Sequence, residues 1–179
     1  MGKVKNTRDV LYVLDYYRMP YTLKKVDEDV ATWDGEKLWV GMLDTNRPDF
    51  LLHELAHWLI SSRRNLPNYG LGQSPDGGPD TKLSLSKEKA QLEEGRAALL
   101  GVIICGCVGL DVVEAADEVY LYSVLSSPTW GPPEFTDVWE TLKKDYHWLK
   151  NKGILSLIPG PVSRFFKQAV SGFFHKDAS

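Results

Sequence analysis

Leu51-Leu52-His53-Glu54-Leu55-Ala56-His57-Trp58-Leu59-Ile60 is the stretch on which the fold and the chemistry of this chain turn. Leu51, Leu52, Leu55, Leu59 and Ile60 recur at intervals of three and four residues, the period of a helix with one apolar face. Upstream, Asp44, Thr45 and Asn46 are all suitable N-caps, and Pro48 suits a first helical turn. The helix is therefore expected from about Pro48 to Ser61, with Arg63-Arg64-Asn65-Leu66-Pro67 marking its end. On it His53 and His57 stand one turn apart on one face, so both imidazoles can aim a nitrogen at a single ion about 2.0–2.1 Å away. Glu54, rotated about a quarter turn from His53, can reach a water beside that ion without binding it, the position of a general base.

Two imidazoles do not complete a site, and a catalytic ion needs a third protein ligand with one position left open. Glu94 is the first choice. It lies in Gln91-Leu92-Glu93-Glu94-Gly95-Arg96-Ala97-Ala98-Leu99, at the mouth of the most apolar stretch of the chain. A carboxylate so placed is costly to bury unless it meets a cation. Gly95, Ala97 and Ala98 would let its helix come close to the first. Glu93 and then Glu88 are the next candidates, and Asp76, Asp80 and His147 stay open because no spacing rule sets the third ligand. The bland alternative makes the Glu pair a solvated face with Arg96 as its partner.

Around this pair of helices the pattern is mostly helical. Asn6 to Met19 has helical apolar spacing and is ended by Pro20, while Tyr21 to Val26 and Val30 to Val40 read as strands. Asp34-Gly35 sits where a hairpin turn would fall. Residues 67–85 hold four Gly and three Pro and read as a long loop. Ser86 opens a helix that continues through the apolar run Ala97 to Leu110, and further helices are expected over Asp111 to Leu125, Phe135 to Lys152 and Val162 to His175. The expected fold class is α+β: one zincin-like, mostly helical domain over residues 1–179 with a small N-terminal sheet. Residues 159–179 form an amphipathic helical tail. In that tail Phe165, Phe166, Ala169, Val170, Phe173 and Phe174 make an apolar stripe flanked by Arg164, Lys167 and Lys176. Such a helix docks on its own core or, less commonly, on a partner or a membrane surface.

Composition narrows the classes. With 179 residues, 43% hydrophobic, 25% charged and a formal net charge of -3, the chain is an ordinary globular one and has no basic face for nucleic acid. The run Ala97 to Leu110 is too short for a membrane span and is interrupted by Gly101, Gly106 and Gly109. Cys105 and Cys107 are too close in sequence for an ordinary disulfide and sit in apolar surroundings, which points to reduced, buried thiols. Together with a charged N-terminus lacking a signal-like apolar core, this gives a cytoplasmic location as the expectation.

Two resemblances bear on function. The Glu-x-x-Ala arrangement of Glu94 to Ala97 after a His-Glu-x-x-His helix resembles the gluzincin type of zinc metallopeptidase. That likeness implies His53, His57 and Glu94 as metal ligands, Glu54 as base, Zn²⁺ as cofactor and a protein or peptide as substrate. A longer local match, Leu52-His53-Glu54-Leu55-Ala56-His57-Trp58 with Arg63-Arg64 and Ser74-Pro75-Asp76-Gly77, looks like the elongation factor P hydroxylase family. It implies Fe²⁺ in place of zinc and hydroxylation of a protein side chain. The first expectation is thus a metal-dependent hydrolase of the peptidase type, the second an iron-dependent hydroxylase, and the third a non-catalytic interaction protein stabilised by a metal. Tyr120, Tyr122 and His147 are possible oxyanion donors, and Trp58 is expected to pack beside the site.

Overall fold

A computed structural model of the chain describes residues 3–23, 31–33, 36–41, 48–61, 87–116 and 135–175. The first helix, α1 (Thr7–Tyr16), begins where the Asn6 side-chain oxygen accepts the backbone N–H of Asp9, satisfying one of the donors a helix start leaves bare. Its inner face is Val10, Val13 and Leu14. It closes through Arg18, which takes the left-handed conformation (φ 53°) and lets the Met19 N–H return to the Leu14 carbonyl, ahead of Pro20.

Three short strands follow: β1 (Tyr21–Leu23), β2 (Ala31–Trp33) and β3 (Leu38–Val40), in the spatial order β1-β3-β2. The hairpin expected between residues 30 and 40 is present as the antiparallel pair β2/β3, with Trp33 opposite Leu38 and Ala31 opposite Val40. Asp34 and Gly35 lie outside the described residues. The sequence did not reveal that β3 also pairs with β1, in parallel, with Tyr21 opposite Leu38. Leu38 and Val40, on one face of the central strand, are buried with Trp33, so this face supplies the sheet's contribution to the core.

The core is built around α2 (Pro48–Ile60) and α3 (Lys87–Cys107), which share the most extensive contact among the described elements. Leu52, Leu55 and Ala56 of α2 have no residual exposure. Along α3, Ala97 to Cys105 is buried on every side, which makes it the central helix of the domain core rather than an amphipathic surface helix. Its 21 residues would be long enough to span a bilayer, yet its first turns carry Lys87, Glu88, Lys89, Glu93, Glu94 and Arg96. Among the described residues no helix is long and apolar enough to cross a membrane. Full burial of leucine and isoleucine side chains such as Leu100, Ile103 and Ile104 stabilises the fold by about 1.5–3 kcal/mol each. The helix ends at Gly109, whose φ of +86° is readily reached only without a Cβ, so that the Leu110 N–H can cap the Cys105 carbonyl.

Shorter elements close the other sides of α3. The single turn α4 (Val112–Ala115) is capped by Asp111, whose carboxylate accepts the N–H groups of Val113 and Glu114. Ala116 follows it, and residues 117–125 of the helix expected there lie outside the described residues. The helix α5 (Phe135–Asn151) meets α3 through Arg96, which pairs with buried Asp145 at 3.3 Å and lies 4.1 Å over the Trp148 ring. Burial pushes the Asp145 carboxyl up to about 6, and the Arg96 guanidinium only partly offsets that. A 3-10 helix, Ile154–Leu157, leads to α6 (Val162–His175). The C-terminal helix docks on the chain itself: Phe166 stacks on Tyr146 at 4.1 Å, and Phe165 packs over Gly106. Cys105 is buried and Cys107 half-buried, and both are free thiols. Burial pushes the Cys107 thiol up to about 11 and Cys105 higher still, as expected of unreactive packing groups.

Gly106 is where the tail is held. A Cβ there would lie 2.5 Å from Phe165 Cδ1 and 2.7 Å from Val112 Cγ2. Gly106→Ala is therefore expected to push α6 off α3 and destabilise the protein by about 1–3 kcal/mol, read as a lower midpoint in denaturant. An unchanged midpoint would show that α6 is loosely held.

Candidate metal centre

The site is made where α2 and α3 run past each other. Three contacts set their relative direction. Gly101 of α3 faces His53 of α2, Glu94 meets His53 and His57, and Glu93 meets Ser61 just beyond α2. As numbers rise along one helix they fall along the other, so the pair is antiparallel. Gly101 and Glu94 are seven residues apart and share a face, with Ala97 and Ala98 between them, both fully buried. A Cβ on Gly101 would come within 3.1 Å of the His53 Cα, so the absence of a side chain there sets how closely the helices approach. The apolar stripe of α2 turns His53 and His57 inward: Leu51, Leu52 and Leu55 are buried in the core, as are both imidazoles.

The result is a compact triangle. His53 Nε2 and His57 Nε2 lie 3.0 Å apart with their rings nearly perpendicular, at 88°. Glu94 bridges them, Oε1 being 3.1 Å from His53 Nε2 and Oε2 3.1 Å from His57 Nε2. Among the described residues these three side chains form the group of His, Cys, Asp or Glu able to hold a metal ion, and all three are largely shielded from water.

Protons alone fit this arrangement poorly. Each Nε2 carries at most one hydrogen, so the two can donate to Glu94 but cannot also satisfy the contact between the nitrogens. If both are protonated, their N–H groups face each other at 3.0 Å. A cation among the three atoms turns all the lone pairs to one purpose, so the donor set fits a His/His/Glu metal site. On the outer side, His53 Nδ1 and His57 Nδ1 are buried with no hydrogen-bond partner among the described residues.

Electrostatics follow the same geometry. Burial works against charge on His57, but the carboxylates of Glu94, then Glu54 and Glu93, outweigh it and raise its pKa above the ordinary 6.5. Burial likewise opposes charge on Glu94, yet His57 and His53 hold its carboxyl well below the ordinary 4.5. Glu54, partly exposed on the neighbouring row of α2, has its pKa raised, by burial first and by the Glu94 carboxylate, against the lowering effect of the two histidines. It thus stands in the field of the triangle without belonging to it.

Of the residues singled out in the sequence, His53, His57 and Glu94 are brought together and Glu54 is placed beside them. Glu93 is not turned into the triangle, because its carboxylate accepts the Ser61 hydroxyl at 2.8 Å. Arg96 is not the partner of the Glu pair. It lies on another side of α3, with Asp145 and Trp148. His147 is exposed on α5 and stands apart from the triangle. The side chains of Glu88, Asp76, Asp80, Tyr120 and Tyr122 lie outside the described residues. Trp58 packs against Trp33 at 5.6 Å, and its indole N–H points to the Tyr17 carbonyl at 3.4 Å. It therefore ties α2 to the sheet and α1. Sequence reasoning missed Ser61, although its place four residues after His57 put it on the same helical row. Comparisons with models of protein families, with curated proteins and with solved structures found no match.

The two coupled shifts give a pH signature in metal-free protein. His57, with its raised pKa, stabilises the fold fully below pH 6.5, and that contribution is lost as pH rises through its folded value. Glu94, with its lowered pKa, stabilises above pH 4.5 and loses that contribution as pH falls through its folded value. With a chelator present, the triangle's contribution to thermal stability should peak between pH 4.5 and 6.5, and Glu94→Gln should flatten the peak. Added Zn²⁺ should move the maximum to higher pH, since metal and protons compete for the same nitrogens. A profile unaffected by either change would remove the triangle from the stability of the fold.

Proposed function

We propose that this protein is a metal-dependent hydrolase of the peptidase type, with His53, His57 and Glu94 holding a divalent cation, Zn²⁺ in the first instance. The observation that supports the reading is the buried convergence of two Nε2 atoms and a carboxylate within about hydrogen-bond distance of one another. The resemblance of this motif to gluzincins agrees with it. When bound, such an ion supplies Lewis acidity to a water and to a substrate carbonyl.

The chain's own part follows from its geometry. His53 and His57 share one rigid helix, so their spacing is set before any ion arrives. Glu94 contributes the negative charge that makes the pocket selective for a cation. Glu54 accepts the proton of the attacking water and passes it to the leaving amine, from its place on the row of α2 beside the triangle. The substrate in this reading is a protein or peptide. A reducing, cytoplasmic setting belongs to the same proposal and is supported by the two free cysteines.

One observation favours a second reading, an Fe²⁺-dependent hydroxylase related to the elongation factor P hydroxylases. The run Leu52-His53-Glu54-Leu55-Ala56-His57-Trp58 resembles that family, and two histidines with one carboxylate also form the ligand set of non-haem iron sites. In that chemistry Glu54 has no obligatory role as a base.

Elemental analysis of protein purified without added metal, paired with Glu54→Gln, separates the readings. Hydrolysis predicts zinc at one equivalent, unchanged metal content in Glu54→Gln and activity on a peptide substrate reduced by on the order of 10²–10⁴-fold. Iron at one equivalent, with activity that needs oxygen, would replace the first reading by the second. Full peptidase activity in Glu54→Gln would rule out the base assigned here.

A further inference from the structure

The small residues that bring α2 and α3 together leave one question open. Gly101 against the His53 backbone sets how closely the helices approach, but Glu94 must also be held at the axial position from which it meets both imidazoles. A slip of one turn would move Glu94 by about 5.4 Å and take it out of reach of both imidazoles. A directional contact beside Glu94 would resist such a slip.

We propose that the hydrogen bond from Ser61 to Glu93 is that register pin, making these two residues positioning groups for the metal site. The proposal rests on the metal reading given above. Ser61 Oγ donates to Glu93 Oε1 at 2.8 Å, part-buried, at the end of the seam nearest His57. Ser61 is itself tied rigidly to the ligand helix, since its backbone N–H donates to the His57 carbonyl at 2.8 Å. Glu93 directly precedes Glu94, so holding one carboxylate on Ser61 sets the azimuth and axial position from which the next one leaves the helix. Glu93 therefore has a task that competes with metal binding, which explains why Glu94 and not its neighbour enters the triangle. Single directional polar contacts are known to select register between otherwise apolar helices.

The test compares Zn²⁺ affinity, by competition with a chromophoric chelator, in the intact chain and in Ser61→Ala, Ser61→Thr, Glu93→Gln and Glu93→Leu. Thermal unfolding of each metal-free protein is measured beside it. Gln keeps an oxygen acceptor for Ser61 and removes the charge, while Leu removes both. The pin predicts that Ser61→Ala and Glu93→Leu each weaken Zn²⁺ binding by about 10–100-fold. Ser61→Thr and Glu93→Gln should stay within about threefold of the intact chain, a rescue that a general loss of stability would not produce. The proposal is overturned if Ser61→Ala binds Zn²⁺ as tightly as the intact chain. It is also overturned if Glu93→Gln is as impaired as Glu93→Leu, because Glu93 would then act through its charge. Should the intact chain bind neither Zn²⁺ nor Fe²⁺, the metal reading itself fails and the pin falls with it, a result distinct from tight binding that ignores Ser61.

Discussion

Everything at the candidate centre depends on how closely two antiparallel helices approach. The His53 backbone lies where a side chain on Gly101 would otherwise stand, at 3.1 Å from the position of its missing Cβ. Only at that separation can a glutamate on one helix span both imidazoles on the other. The hydrophobic effect supplies the force through Leu52, Leu55, Leu100 and Ile103, and the small residues supply the room. A buried polar group is costly without partners, so a site of this kind can exist only where the surrounding apolar packing is good enough to offset the desolvation of three ionisable side chains.

The supporting elements can be understood as anchors for these two helices. Trp58 leans on Trp33 and on the Tyr17 carbonyl, which joins α2 to the sheet and to the end of α1. On the far side of α3, Arg96 is held between Asp145 and Trp148 of α5. The aromatic face of α6 then closes over Gly106 and Tyr146. Thus α3 is gripped from several directions while its Glu93-Glu94 pair is left to face α2.

Local signals in the chain were sufficient for much of this. The helical period of Leu51 to Ile60, the break at Pro20 and the turn signal between Trp33 and Leu38 are all near-neighbour effects, and the corresponding elements formed where expected. Glu94 was legible because a carboxylate beside a long apolar run demands an explanation. The parallel pairing of β1 with β3 was not legible, since it joins strands separated by a whole intervening strand and no local residue pattern encodes it. The true partner of Arg96 was not legible for a similar reason. Its proximity in sequence to Glu93 and Glu94 offered a partnership only as the bland alternative, and its direction on the helix gave it to Asp145, 49 residues away. Ser61 escaped notice because a lone serine at a helix end has many ordinary uses.

The unequal construction of the triangle has a consequence for any cation held there. Both nitrogens belong to a single helix and their rings are buried, so the packing around those rings limits how far their spacing can change. The carboxylate sits on a longer arm with more rotatable bonds, anchored from the opposite helix. Accommodation of ions of different radius would fall mainly to the Glu94 side chain, whose reach would then bear on discrimination between metals.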